Sequence, residues 1–336
     1  MSLTTSEYDS LLREYEQRQL DGEKELRRRK EEVAQAVPAI AEIEERIVDG
    51  SLQAARLALA GNTSALDALG RTNEWLINQK RQLLVGAGYP ADYLERHYTC
   101  PLCKDTGTEI VTNADGSETR RPCTCFRRAI IDRYYMDDGL RQRLARENFT
   151  TFDLRFYSPQ RVDAATGQTY RAIAETALAD AKDYADRFGS EYRNLMISGY
   201  SGVGKTFLAN CIAGELLSHG YTVLYLSAFR LFEIFEHYRF GDRESSRQAS
   251  LDFDNILDCD LLIIDDLGTE MSNSYTTSQL FVCLEERDRE KKSTLITTNL
   301  TMDELSKRYS ERIASRLFLF RYIKLFADDI RIQSML

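Results

Sequence analysis

Eight consecutive residues narrow the choice of fold more than any other part of this chain. Gly199-Tyr200-Ser201-Gly202-Val203-Gly204-Lys205-Thr206 is a full match to G-x-x-x-x-G-K-[ST]. It stands after the apolar run Leu195-Met196-Ile197 and before an amphipathic helix expected over 204–218. The glycines let the backbone wrap closely enough for its N–H groups to face phosphate oxygens, and the helix N-terminus adds partial positive charge. Lys205 is placed to neutralise β- and γ-phosphates, and the Thr206 hydroxyl to ligate Mg²⁺. The bland alternative, a glycine-rich turn with an accidental lysine, is outweighed by the flanking strand and helix.

The surrounding pattern agrees. A helix at 169–188 leads to strand 194–198 and helix 204–218. Then come strand 222–227, helix 229–240, buried strand 261–265, helix 276–290 and strand 293–298. Strands alternating with helices predict an α/β fold, a parallel sheet with helices on both faces. Leu261-Leu262-Ile263-Ile264-Asp265-Asp266 ends in two carboxylates at the C-terminal edge of that sheet, where ligands bind. Asp265 is expected to hold Mg²⁺ through water, and Asp266 to orient or deprotonate an attacking water. Asn299 ends the next strand, in reach of a γ-phosphate or the lytic water; the alternative is an Asn capping the following helix. Arg312 and Arg316 share one helix face at i and i+4. An arginine offered to a neighbour's γ-phosphate would stabilise transition-state charge; otherwise each is a surface arginine paired with Glu311 or another acid. The stretch after Asn299 has room for two helices and a final strand at Ile323–Phe326, not for a helical lid. The site is therefore expected to be open on one side and closed by a second copy. This layout suits ATP hydrolysis better than phosphate transfer to a small molecule.

The N-terminal third reads as helices. Tyr8, Leu11, Leu12 and Tyr15 mark one face of a helix over 7–33, whose run Glu23–Glu32 is a solvated, charge-paired face. Pro38 opens a second helix, and a third spans 64–85 with Leu66, Leu69, Leu76, Leu83 and Leu84 inward. Another helical stretch is expected near 127–146, followed by a connector at 149–159. Of seven cysteines, Cys211, Cys259 and Cys283 sit among apolar neighbours as core residues. Cys100, Cys103, Cys123 and Cys125 form two close thiolate pairs able to complete a tetrahedral structural zinc site. Gly107, Asn113 and Asp115-Gly116 suit a hairpin between the pairs. The second pair is C-x-C rather than C-x₂-C, so His97 is a possible substitute ligand, with reduced free thiols as the alternative.

With 44 Lys+Arg against 53 Asp+Glu the formal net charge is −9, which excludes a polycation that coats nucleic acid. Any nucleic-acid contact must come from a local surface. Phe229, Arg230, Tyr238, Arg239, Arg243 and Arg247 combine rings with basic groups. Against this, Phe229, Phe232 and Phe235 have helical core spacing, and the arginines suit a solvated face. No apolar run approaches the roughly 20 residues of a membrane span. The N-terminus has no basic and apolar leader, so the chain is expected to be soluble and cytoplasmic.

Together, the segments 199–206, 262–270, 297–300 and 311–317 resemble the AAA+ ATPases of the bacterial helicase-loader group. That group includes the DnaC/DnaI type and the related IstB transposition helpers. The resemblance covers about 149–336, and Tyr98–Cys125 is similar to the zinc-bearing N-terminal domain of DnaI-like loaders. It implies that Asn299 is sensor 1 and Arg316 the arginine finger, with Arg312 an accompanying basic residue. No sensor-2 arginine is carried over, and Asp266 stands where Glu is usual. The implied plan is a helical, zinc-bearing, helicase-binding domain at 1–130, a linker at 131–160 and an AAA+ ATPase domain at 161–336. The implied function is ATP-dependent delivery of the hexameric replicative DNA helicase to single-stranded DNA, with self-association on ATP binding. The alternatives are an IstB-like transposition helper acting on a transposase, a small-molecule kinase, and a nucleotide-gated adaptor without useful turnover.

Overall fold

Four short runs rich in apolar and β-branched residues, too brief for helices and flanked by turns, become the buried strands of one sheet. In the computed structural model, which describes residues 5–59, 63–112, 116–136, 138–241 and 243–333, two compact units are distinguished. One is Leu12–Arg121; the other combines Pro122–Leu336 with Met1–Leu11.

The larger unit holds a five-stranded sheet of β3 (Leu195–Ser198), β4 (Val223–Ser227), β5 (Leu261–Leu267), β6 (Ser293–Thr298) and β7 (Arg321–Lys324). Their order is β4-β5-β6-β3-β7, and every neighbouring pair is parallel. Alternate residues of each strand enter opposite cores, as a period of two requires. Leu195, Ile197, Leu261, Ile263 and Leu295 pack with α5 (Asp138–Arg146), α6 (Tyr170–Asp186) and α7 (Lys205–Ser218). Met196, Leu224, Leu262, Ile264 and Ile296 pack on the other face. Its helices are α8 (Ala228–Phe240), α9 (Arg243–Asp258), α10 (Ser274–Arg289), α11 (Met302–Tyr309) and α12 (Glu311–Leu317). Cys211, Cys259 and Cys283 are buried among them, as expected.

Three local readings change. The stretch expected as one helix near 127–146 is divided into α4 (Thr124–Ile130), a π-helical turn at Ile131–Tyr135, and α5. Tyr135 leaves the turn to donate to Asp252 Oδ1 at 2.5 Å, so the extra residue per turn aims a side chain at a buried acceptor. Helix α9 was not foreseen. Its inward stripe of Ala249, Phe253 and Ile256 is interrupted by buried Asp252 and Asn255, which hide the period. Phe232 and Phe235 are core, but Phe229 is 66% exposed.

In the smaller unit α1 (Thr5–Ala36, whose start belongs to the larger unit), α2 (Pro38–Leu59) and α3 (Thr63–Gly86) precede a two-stranded sheet of β1 (Thr108–Thr112) and β2 (Glu118–Pro122). Val33, Ile40, Leu84 and Leu94 form an apolar cluster. Leu76 is also buried, but Leu83 is at the surface because its neighbour Leu84, about 100° around the helix, takes the inward position. The Leu66 side chain, and Asn113 and Asp115, lie outside the described residues. The charged run is paired as expected, with Arg28 bridging Glu25 at 2.7 Å and Glu32 at 3.2 Å. Arg29 is the exception: buried, it donates to the Tyr93 carbonyl at 2.8 Å. No helix among the described residues is long and apolar enough to cross a membrane.

Candidate nucleotide site

The strand-to-helix turn between β3 and α7 is built on left-handed backbone that a side chain would strain. Gly202 has φ +78° and Gly204, the residue capping α7, has φ +95°. Space is equally restrictive. A Cβ on Gly202 would lie 2.2 Å from Asp329 Oδ1, and one on Gly204 would lie 2.7 Å from the Tyr157 hydroxyl. Tyr157, fully buried, donates to the Val203 carbonyl at 2.9 Å and so anchors the loop from the connector ahead of α6. No motif marks Tyr157, which falls in the stretch read from the sequence as a connector at 149–159. Tyr200 is at the surface, whereas Val203 and Lys205 are buried.

The Lys205 ammonium donates to the Tyr200 carbonyl at 2.9 Å and to Asn299 Oδ1. The residue expected to compensate phosphate charge and the one expected to sense the γ-phosphate are thus in direct contact. Thr301, not Asn299, caps the next helix, with its side chain bonded to Glu304 N. Burial pulls the Lys205 pKa below the ordinary lysine value. The charges of Asp266 and Asp265 oppose that shift, and Arg331 adds to it.

The two aspartates are arranged by an irregularity. Ile264 is paired with Ile296 and Leu267 with Thr298, so Asp265 and Asp266 together face the single residue Thr297. Such a bulge re-aims side chains, and here it holds Asp266 in left-handed backbone at φ +58°. Thr297 joins both residues: its hydroxyl donates to Asp265 Oδ1 at 2.6 Å and accepts from Asp266 N at 2.8 Å. Asp265 also accepts from the Thr206 hydroxyl at 3.1 Å. A hydroxyl and a carboxylate held together form the all-oxygen donor set that Mg²⁺ prefers. Burial first, and then the Asp265 charge, push the Asp266 carboxyl above the ordinary aspartate value, while Lys205 and Arg331 restrain it. This is the direction required of a proton acceptor.

The arginines of α12 are engaged elsewhere. Arg316 bridges Glu285 of α10 at 2.5 Å, and the Arg312 guanidinium lies 4.4 Å from the Phe281 ring centroid on the same helix. The partner of Arg316 is therefore an acid, though not Glu311. A cleft of about 500 Å³ opens beside the loop, bounded by Tyr200, Asn299, Met302, Phe318, Tyr322 and Phe326.

The Cys100, Cys103, Cys123 and Cys125 sulfurs all lie within 4.8 Å of one another. Four thiolates at that spacing fit a tetrahedral zinc, and His97 is not in the group. Asp105, buried and in left-handed backbone, accepts from Thr99 N at 2.9 Å and Cys100 N at 2.8 Å, fixing the turn that carries the first pair.

The candidate DNA residues are dispersed among internal partners. Arg230 pairs with Glu233, Tyr238 stacks on Phe253 with centroids 5.2 Å apart, and Arg239 lies over the Tyr275 ring at 5.1 Å. The side chains of Arg243 and Arg247 lie outside the described residues.

Residues 169–324 match the family described as IstB-like ATP binding protein. The replicative helicase loader DnaC of Escherichia coli (strain K12) is 29% identical over 155 residues, 45% of this chain and 62% of that protein. DnaC of Buchnera aphidicola subsp. Schizaphis graminum (strain Sg) is 28% identical over 142 residues, 42% and 57% of the two chains. The matched stretch spans less than two thirds of these relatives' own length. A crystal structure of the DnaC helicase loader has 20% identity and a TM-score of 0.42, covering 53% of this chain and 98% of that one. A crystal structure of DnaI has 23% identity and a TM-score of 0.41, covering 49% and 92%.

Proposed function

We propose that this chain, whose residues 169–324 carry an AAA+ domain of the IstB/DnaC type, delivers a replicative DNA helicase to single-stranded DNA. ATP binding and hydrolysis act as the switch. The observation that carries the reading is the cluster of Lys205, Asn299, Thr206, Asp265 and Thr297 around one glycine loop. Lys205 neutralises the terminal phosphates, releasing Asn299 to position the attacking water. Asp266 takes the proton of that water, helped by its raised pKa. Thr206 and Asp265 would hold Mg²⁺, which would supply charge neutralisation to the bound phosphates. Arg316 acts on the site of an adjoining copy, where its guanidinium stabilises transition-state charge, with Arg312 beside it.

The 1–130 region, with the four-cysteine zinc site, is assigned to the helicase contact, and 161–336 to the ATPase, joined by 131–160. Arg230, Tyr238 and Arg239 are assigned to DNA and have to leave their internal partners to reach it. The test is capture of a purified hexameric replicative helicase by the full chain with ATP and Mg²⁺, beside Cys100→Ser. Capture by the wild type, lost in Cys100→Ser together with bound zinc, supports the loader. Failure of the wild type to hold helicase overturns it. The description of the matching family favours a second reading, a transposition helper; retention of a transposase instead of helicase would establish that one.

A further inference from the structure

Asp266 and Gly268 both have left-handed backbone, at φ +58° and φ +111°. A non-glycine residue in that region is strained and persists only where its surroundings fix it. Part of the restraint is local: the Asp266 carbonyl accepts from Thr269 Oγ1 at 2.9 Å and from Thr269 N at 3.3 Å. The rest comes from Glu270, which closes the segment 262–270 and has no part in the hydrolysis proposed above. Its side chain is buried, at 2% exposure. Oε2 accepts from Gly268 N at 2.9 Å, and Oε1 accepts from the Tyr309 hydroxyl. Arg308 donates to the Glu270 carbonyl through Nη2 and sets its Nε 3.7 Å from Oε1. Arg308 and Tyr309 end α11, the helix that begins three residues after Asn299. The turn is also seated sterically, since a Cβ on Gly268 would lie 2.5 Å from the Leu300 side chain.

Taking a carboxylate out of water is unfavourable unless hydrogen bonds and a counter-charge replace the water. A leucine would fill a similar space, but it could hold neither the Gly268 N–H nor the Tyr309 hydroxyl. What the carboxylate adds is a fixed geometry, with one oxygen on the turn that carries Asp266 and the other on α11. Burial, and then the hydrogen bond and charge of Glu270, raise the Tyr309 pKa, so its hydroxyl stays a donor. We propose that Glu270 is a positioning residue for hydrolysis, locking the Asp266 turn against α11 so that the Asp266 carboxylate keeps its aim at the attacking water. The proposal rests on the ATP reading above and gives a role to the Gly-Thr-Glu step that follows the two aspartates.

The deciding measurement is a double-mutant cycle on the full-length protein in Mg²⁺ buffer, reading kcat for phosphate release and ATP affinity by titration calorimetry. Its members are the wild type, Glu270→Gln, Tyr309→Phe, Asp266→Asn and the two doubles with Asp266→Asn. Glu270→Gln should lower kcat about tenfold or more, as for a misplaced reacting group, and leave ATP affinity within about twofold. Tyr309→Phe, which removes one hydrogen bond and keeps the charge pair, should lower kcat about threefold. In the Asp266→Asn background neither change should reduce the residual kcat further, because both act through the carboxylate already removed. A residue that merely stabilises the fold would lower kcat by the same factor in both backgrounds, and that result overturns the proposal, as does an unchanged kcat in Glu270→Gln. If Glu270→Gln does not fold, as its melting curve would show, the Tyr309→Phe cycle decides by the same criteria. A wild type that neither binds nor hydrolyses ATP overturns the reading on which the proposal stands.

Discussion

The two halves of the nucleotide machinery are held in opposite ways. Around the glycine loop, five side chains from α7, β5, β6 and the β6–α11 turn are already joined in two groups, Lys205 with Asn299 and Asp265 with Thr206 and Thr297. On α12, the two arginines that would complete the reaction are tied to Glu285 and Phe281 of α10. One copy of the chain therefore assembles the binding half, and in the proposed mechanism its α12 arginines serve an adjoining copy. The difference teaches that binding and turnover should be separable by mutation.

Lys205→Ala is the severest way to break this comparison, because it removes the buried charge on which Asn299 and the loop carbonyl converge. ATP binding should fall below detection by calorimetry, and turnover with it. Arg316→Ala should leave ATP affinity within about twofold while lowering steady-state phosphate release by about 10³-fold or more. Normal hydrolysis in this variant would reject the arginine supplied between copies. Asp266→Asn should cost about 10²-fold in turnover with binding retained.

The pH profile sharpens the same separation. Because the Asp266 pKa is raised, turnover should fail on acidification at a higher pH than an ordinary aspartate would give, while Lys205 stays charged and binding persists. Because the Lys205 pKa is lowered, binding should weaken first on the alkaline side. The smallest effect is expected from Glu285→Gln. Breaking a half-exposed ion pair is worth at most about 1 kcal/mol, so freeing Arg316 should lower the protein concentration for half-maximal turnover by no more than about fivefold.

Much of the binding half is legible in the residues themselves. Asp265 and Asn299 lie at strand ends and Lys205 and Thr206 open the helix after β3, places that periodicity locates, and a parallel sheet brings them to one edge. The α12 arginines were legible as a pair, but their partners on α10 were not. Helix α9 was obscured because Asp252 and Asn255 replace apolar residues on its buried face. The 127–146 stretch was misread as continuous because Tyr135 bends the chain toward an acceptor 117 residues away. Arg29 sits in a run of charges that all look solvated, and only the Tyr93 carbonyl, 64 residues on, distinguishes it.

Local pattern settled the parallel sheet, the glycine loop and the chemistry of the groups at its edge. Each depends on residues a few positions apart whose spacing matches the helix or strand repeat. Folding in three dimensions decided the bulge that sets two aspartates against one threonine, the Tyr157 anchor, the restraint of Arg316 and the seating of Glu270 against α11. Those features arise where distant segments meet, and their energies come from hydrogen bonds and charges whose partners no local period encodes.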